Sequence, residues 1–79
     1  MEKLQKIVHK IKNNKNKIVK IKTNLKEKII IALIETKQNA KIENNTFNEN
    51  TYIEFMEIKE NKKISCVIAL KNIVDIISL

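Results

Sequence analysis

Seventy-nine residues with 43% apolar content, sixteen isoleucines among them, make one small domain and are too hydrophobic for a disordered chain. All sixteen basic residues are lysine, set against nine acids for a net charge of +7, and there is no arginine, glycine or proline. Without glycine, a Walker loop, a dinucleotide-binding turn or any motif held at positive φ against a phosphate is excluded; without arginine, so is the bidentate fork that reads guanine edges.

The charge is polarised along the chain. Residues 1–28 hold ten lysines against Glu2 and Glu27, a local charge of +8, whereas residues 29–79 carry −1. A basic segment leading into a neutral, isoleucine-rich body points to an anionic partner. Lys, Asn and Ile are also the residues that an AT-rich coding sequence inflates, so a purely compositional reading stands beside the functional one.

Met1, Leu4, Ile7, Val8 and Ile11 recur at three- and four-residue spacing, with Lys3, Lys6, Lys10 and Lys12 mostly off that stripe, which predicts an amphipathic helix over about 2–13. Asn13-Asn14-Lys15-Asn16 then predicts a turn. Lys17 to Thr23 alternates, Val19, Ile21 and Thr23 on one side and Lys20 and Lys22 on the other, as in a half-solvated strand. One long helix over 4–33 competes with this, but it would put Lys15 and Lys22 in its apolar seam.

Asn24 followed by Glu27 at the third position forms half a capping box and predicts a second helix to about Lys37, facing inward through Leu25, Ile29, Ile30, Leu33 and Ile34. Ile29 to Ile34 also fits a buried strand, and periodicity does not separate the two. At six residues, this longest apolar run falls far short of the ~20 that cross a bilayer, so no transmembrane helix is expected. Residues 43–51 are strongly polar and predict a loop, and Asn44-Asn45-Thr46 is an accidental sequon if the chain stays inside the cell.

Tyr52 to Ile58 and Ile64 to Leu70 are β-rich runs separated by the polar residues 59–63, which predicts a hairpin. Ile64, Cys66, Ile68 and Leu70 share one face, making Cys66 a small core residue rather than a reactive thiol. The tail from Asn72 has Ile73, Ile76 and Ile77 at helical spacing, yet enough β-branching for a strand, and its apolar end is expected to dock.

No catalytic or metal constellation is legible. His9 is the single histidine, expected to be solvated, and no second His or Cys stands at metal-ligand spacing. Glu54 and Glu57, three apart on a strand, would face opposite ways. Phe47, Tyr52 and Phe55 are too few for a stacking platform, though Tyr52 and Phe55 together would hold one or two bases. No enzyme and no cofactor are expected. A single cysteine and the absence of an apolar leader after Met1-Glu2-Lys3 suggest an intracellular protein, in cytoplasm or organelle matrix.

Two family resemblances bear on the partner. Ile7 to Asn13, Ile18-Val19-Lys20-Ile21, Thr23-Asn24-Leu25, Lys41-Ile42-Glu43 and Asn50-Thr51-Tyr52-Ile53 resemble the N-terminal half of the ribosomal small-subunit protein eight family. That resemblance implies a helix, strand, helix, loop and hairpin, and binding to ribosomal RNA. The family's glycine-containing C-terminal half has no counterpart here. More loosely, the chain looks like an Hfq or Sm-like protein, in which an N-terminal helix precedes a bent five-stranded sheet; residues 17–34 would then supply two strands and Val67 to Ile77 the last pair. That family's glycine in the second strand and its acidic turn residue are missing.

The reading that emerges is a small α+β domain over 1–79, a basic N-terminal helix packed on an antiparallel sheet. It is expected to bind nucleic acid, RNA ahead of DNA, with Lys3, Lys6, Lys10, Lys12, Lys15, Lys17, Lys20 and Lys22 meeting phosphates as point charges. Other proteins of a ribonucleoprotein, or further copies of the chain, are compatible partners. The alternative is a small protein-binding module of phage or plasmid type, using the hairpin edge and the C-terminal isoleucines. Peripheral membrane binding is disfavoured because the helix has no Trp or Phe on its apolar face.

Overall fold

The computed structural model describes residues 2–35 and 40–79. Helix α1 (Glu2–Asn13) is followed by strands β1 (Ile18–Thr23) and β2 (Ile29–Leu33), a single turn of helix α2 (Ala40–Glu43), strands β3 (Tyr52–Lys59) and β4 (Lys62–Ala69), a 3₁₀ turn (Leu70–Asn72) and strand β5 (Ile73–Ser78). The strands form one antiparallel sheet in the order β4-β3-β2-β1-β5, so β4 and β5 are its two edges. Among the described residues, Ala32↔Glu57 and Leu33↔Met56 join β2 to β3.

Helix α1 forms where the periodicity places it. It buries Ile7, Val8 and Ile11, and Glu2 in the first turn and Lys10 and Lys12 in the last complement the helix dipole. The helix lies over the sheet face made by Val19, Ile21, Ile30, Ala32, Ile53, Phe55, Ile68, Ile73 and Ile76, and Ile42 of α2 closes the same core. Asn14, buried just past the helix, donates from Nδ2 to the Lys10 carbonyl at 2.7 Å and accepts on Oδ1 from the Ser78 hydroxyl at 2.7 Å. A buried amide must be satisfied, and this one ties the helix end to the end of β5.

The second helix predicted over 25–37 is not formed. Lys26 and Glu27 adopt φ of 55° and 53°, which breaks the helical backbone at its expected first turn, and the backbone closes a tight turn through Lys28 N–H to the Leu25 carbonyl at 3.1 Å. Asn24 N–H donates to the Asn72 carbonyl at 3.0 Å instead of opening a helix. The following isoleucines become β2, hydrogen-bonded on both sides by β1 and β3. Long-range pairing outweighs a local capping signal worth about 1 kcal/mol. Thr36 and Lys37, the expected helix end, lie outside the described residues.

The hairpin predicted over 52–70 is present, with eight paired positions from Tyr52↔Ala69 to Lys59↔Lys62. Its connection is shorter than the five residues expected: Glu60 and Asn61 alone make the turn, at φ of 52° and 65°. A two-residue loop with both central residues at positive φ matches the right-handed twist of its strands. The absence of glycine therefore does not keep this backbone out of the left-handed region. Asn16, Lys26, Glu27, Asn45, Glu60 and Asn61 all enter it, three of them asparagines, whose short amides tolerate it best.

Two side-chain placements are corrected. Tyr52 and Phe55 do not lie together: three residues apart on a strand, they face opposite ways, Tyr52 69% exposed and Phe55 fully buried. On β4, Ile68 is buried and Cys66 half-buried, but Ile64 is exposed, because the outer end of the hairpin runs past the part of the sheet that the helix covers. The tail resolves as edge strand β5, in register Val19↔Ser78 to Lys22↔Asp75, with a shift before Thr23↔Ile73 that leaves Val74 unpaired and exposed.

Candidate nucleic-acid interface

The eight lysines predicted to meet phosphates do not form one surface. At about 100° per residue, Lys3, Lys6 and Lys10 fall on one flank of the buried helical stripe and Lys12 on the other. Lys15 and Lys17 lie in the link to β1. Lys20 and Lys22 alternate with the buried Val19, Ile21 and Thr23, and so project from the sheet face turned away from the helix.

Three of the eight have partners. Lys10 pairs with Asp75 of β5, and Lys15 with Glu43 at the end of α2. Lys12 Nζ donates to Asn45 Oδ1 at 3.1 Å. Among the described residues, neither hydrogen bond nor ion pair engages the head groups of Lys3, Lys6, Lys17, Lys20 or Lys22. A lysine already held by a carboxylate must break that contact to meet a phosphate, so the unengaged ones are the cheaper phosphate ligands. Both ion pairs are half-exposed and are worth about 1 kcal/mol or less.

Asp75 sits where the two lysine groups meet. The hydrogen bond from Lys10 holds its carboxyl below the ordinary carboxylate range, outweighing its partial burial, and the Ile76 backbone N–H (2.8 Å) and the cross-strand Lys22 lower it further. It is thus ionised at neutral pH and neutralises part of the basic surface.

Folding also adds a lysine that local reading of the basic segment misses. Lys71, on the 3₁₀ turn before β5, comes beside Lys3 at the rim of a recess of about 190 Å³ whose floor is Leu4, Ile7, Leu70 and Ile73. Glu49 stands on the same rim, and its carbonyl accepts from Lys71 N–H at 2.9 Å. Lys71 is 68 positions from Lys3 in sequence, and nothing near it signals the meeting.

The remaining candidates are not brought together. His9 is exposed, with Nε2 2.9 Å from Asn13 Nδ2. Glu54 and Glu57 face opposite sides of β3, Glu54 taking the Ser65 hydroxyl. Burial pushes the Cys66 thiol up, Glu57 adds to this, and Lys28 offsets it in part, all of which favours the protonated form over the thiolate. Among the described residues no three His, Cys, Asp or Glu side chains cluster as a metal site would require, and no helix is long and apolar enough to cross a membrane.

Comparison with known proteins leaves the fold and the lysines to speak for themselves: no family model, no curated protein and no solved structure matches this chain.

Proposed function

We propose that this protein binds nucleic acid, RNA ahead of DNA, through phosphate contacts made by the lysines of α1 and of the link that follows it. The observation that carries the reading is the unengaged pair Lys3 and Lys6 on one flank of α1, extended by Lys71 across the recess. Lys17 adds charge in the link to β1, Lys20 and Lys22 face the other side of the sheet and add only long-range attraction, and Lys10, Lys12 and Lys15 join only by leaving their partners. Lysine head groups act as point charges and carry no sequence reading, so recognition is electrostatic and tolerant of sequence. Both the ribosomal and the Sm-like resemblance imply RNA as the partner, which supports placing RNA ahead of DNA.

The test is a salt titration of binding to mixed-sequence RNA and duplex DNA. With about five lysines at phosphates, log affinity falls with log salt at a slope of roughly −4 on duplex and somewhat less on single strands. Replacing Lys3, Lys6, Lys17 and Lys71 by Gln flattens the slope by about three. Absence of binding at about 50 mM salt refutes the reading.

A second reading is favoured by the sheet edges. Strand β4 is an open edge with Ile64 and Val67 exposed, and β5 is the other, with Val74, Ile77 and Leu79 exposed. Uncovered edges with apolar side chains invite strand addition by a protein partner or a further copy of the chain. Loss of binding on changing β4 rather than the helix lysines would decide for it.

A further inference from the structure

The sheet face turned away from α1 is not a simple solvated surface. In it, Ile18, 45% exposed, pairs with the half-buried Leu33; Ile29, 55% exposed, pairs with Lys22; and Ile77, 37% exposed, pairs with Lys20. Ile31 completes the row on the other side of Lys20. Cross-strand neighbours of a lysine are usefully acids, and Lys20 has an isoleucine on each side instead. Its stem lies along apolar surface while its ammonium has no carboxylate across either strand.

We infer that this face of β5, β1 and β2 docks an amphipathic helix of a partner protein, one whose apolar stripe covers Ile18, Ile29, Ile31 and Ile77 and whose flanking glutamates or aspartates meet Lys20 and Lys22. Four physical points select that occupant. A sheet buries each apolar face against another layer, and among the described residues the helix layer covers one face only. Charge complementarity requires acids, because the cations on the face are two lysines and the acid opposite Lys22, Asp75, is held by Lys10. A second copy does not supply them: α1 is basic and α2 is a single turn, so no described helix of the chain is both acidic and amphipathic. Nucleic acid gains nothing from branched aliphatic side chains, which offer no ring to stack on and would be covered by a charged backbone.

The inference is independent of phosphate binding by α1, and the experiment keeps the two apart. The probe is a synthetic helical peptide with leucines at i, i+3, i+4 and i+7 flanked by glutamates, beside a scrambled peptide of the same composition. Binding to the full chain is read by fluorescence anisotropy and by amide chemical-shift mapping. The acidic amphipathic peptide binds at least about tenfold tighter than its scramble and shifts the amides of β1 and β2. Ile18→Ser with Ile29→Ser, both exposed enough to leave the core filled, and separately Lys20→Glu with Lys22→Glu, each weaken it by about tenfold or more, with unchanged thermal melts. Lys3→Gln with Lys6→Gln leaves it unchanged while weakening RNA binding. Equal binding of the scramble, shifts confined to α1, or no binding by about 100 µM overturns the inference. So does preferential engagement of these side chains by phosphatidylglycerol vesicles or by oligo-uridine.

Discussion

Along β1, Val19, Ile21 and Thr23 are buried against the helix, while Ile18, Lys20 and Lys22, interleaved with them one residue apart, reach the opposite face. One strand thus serves two environments. On the helix side every position contacts the core, and a change there is felt as stability. On the outer side the branched residues are half open and the lysines unengaged, so a change there is felt as binding. The period of two separates the functions without any loop or insertion, and substitutions on the two faces should separate just as cleanly.

The largest effect is expected on the helix-covered face. Ile68→Asp buries an unpaired charge and destabilises by several kcal/mol, and Phe55→Ala costs about 3–5 kcal/mol; urea unfolding measures both. For a chain this size that is a large part of the total stability. Unchanged stability for Ile68→Asp would move the end of β4 out of the core.

Replacing Lys3, Lys6, Lys17 and Lys71 by Gln acts on the other side of the comparison. Nucleic-acid affinity falls and its salt slope flattens, whereas the unfolding midpoint stays within about 0.5 kcal/mol of the parent. A matching loss of stability would mean that these side chains pack rather than bind.

Asp75 links the two regions, and its effect is smaller. Its carboxyl titrates lower in the folded chain than in the unfolded one, so its contribution to stability is full above the ordinary value of 3.8 and is lost as the pH falls through the lowered value. Asp75→Asn removes this acid-side loss. It costs about 1 kcal/mol or less at neutral pH, because the ion pair is half-exposed, and it raises RNA affinity by freeing Lys10. Unfolding curves at about pH 6 and about pH 3, with and without the substitution, check the sign.

The smallest effects are at Ile29 and Glu60. Ile29→Ser, on the outer face, changes stability by about 0.5 kcal/mol or less. Glu60→Gly relieves a left-handed turn residue at the cost of unfolded-state freedom, for a net gain of a few tenths of a kcal/mol. A large loss at Ile29 would show that the outer face is already covered, in solution, by something that stabilises the fold.

The two hairpins show what could be read in the sequence. Tyr52 to Ile58 and Ile64 to Leu70 are rich in β-branched and aromatic residues and are broken by a polar stretch, so their pairing was legible and only the turn length was off. Ile29 to Ile34 has no alternation to read, because β2 is apolar on both faces, Ile30 and Ala32 in the core and Ile29, Ile31 and Leu33 on the outer face. A run apolar on all sides suits a helix or a central strand equally, and the Asn24 to Glu27 signal tipped the expectation the wrong way. The tail was ambiguous for the same reason: its edge position, and with it the strand, is set by pairing to β1 over fifty residues away.

By itself the sequence determined the amphipathic helix, the alternation of β1, the hairpin and the concentration of charge in the first twenty-eight residues, because each is written in spacing between near neighbours. Tertiary structure alone decided that β2 is a strand, that Lys10, Lys12 and Lys15 are engaged, and that Lys71 joins Lys3. Those outcomes depend on which surfaces meet across long stretches of chain, and the free energy of such meetings, unlike a helical or strand period, leaves no local mark on the residues that take part.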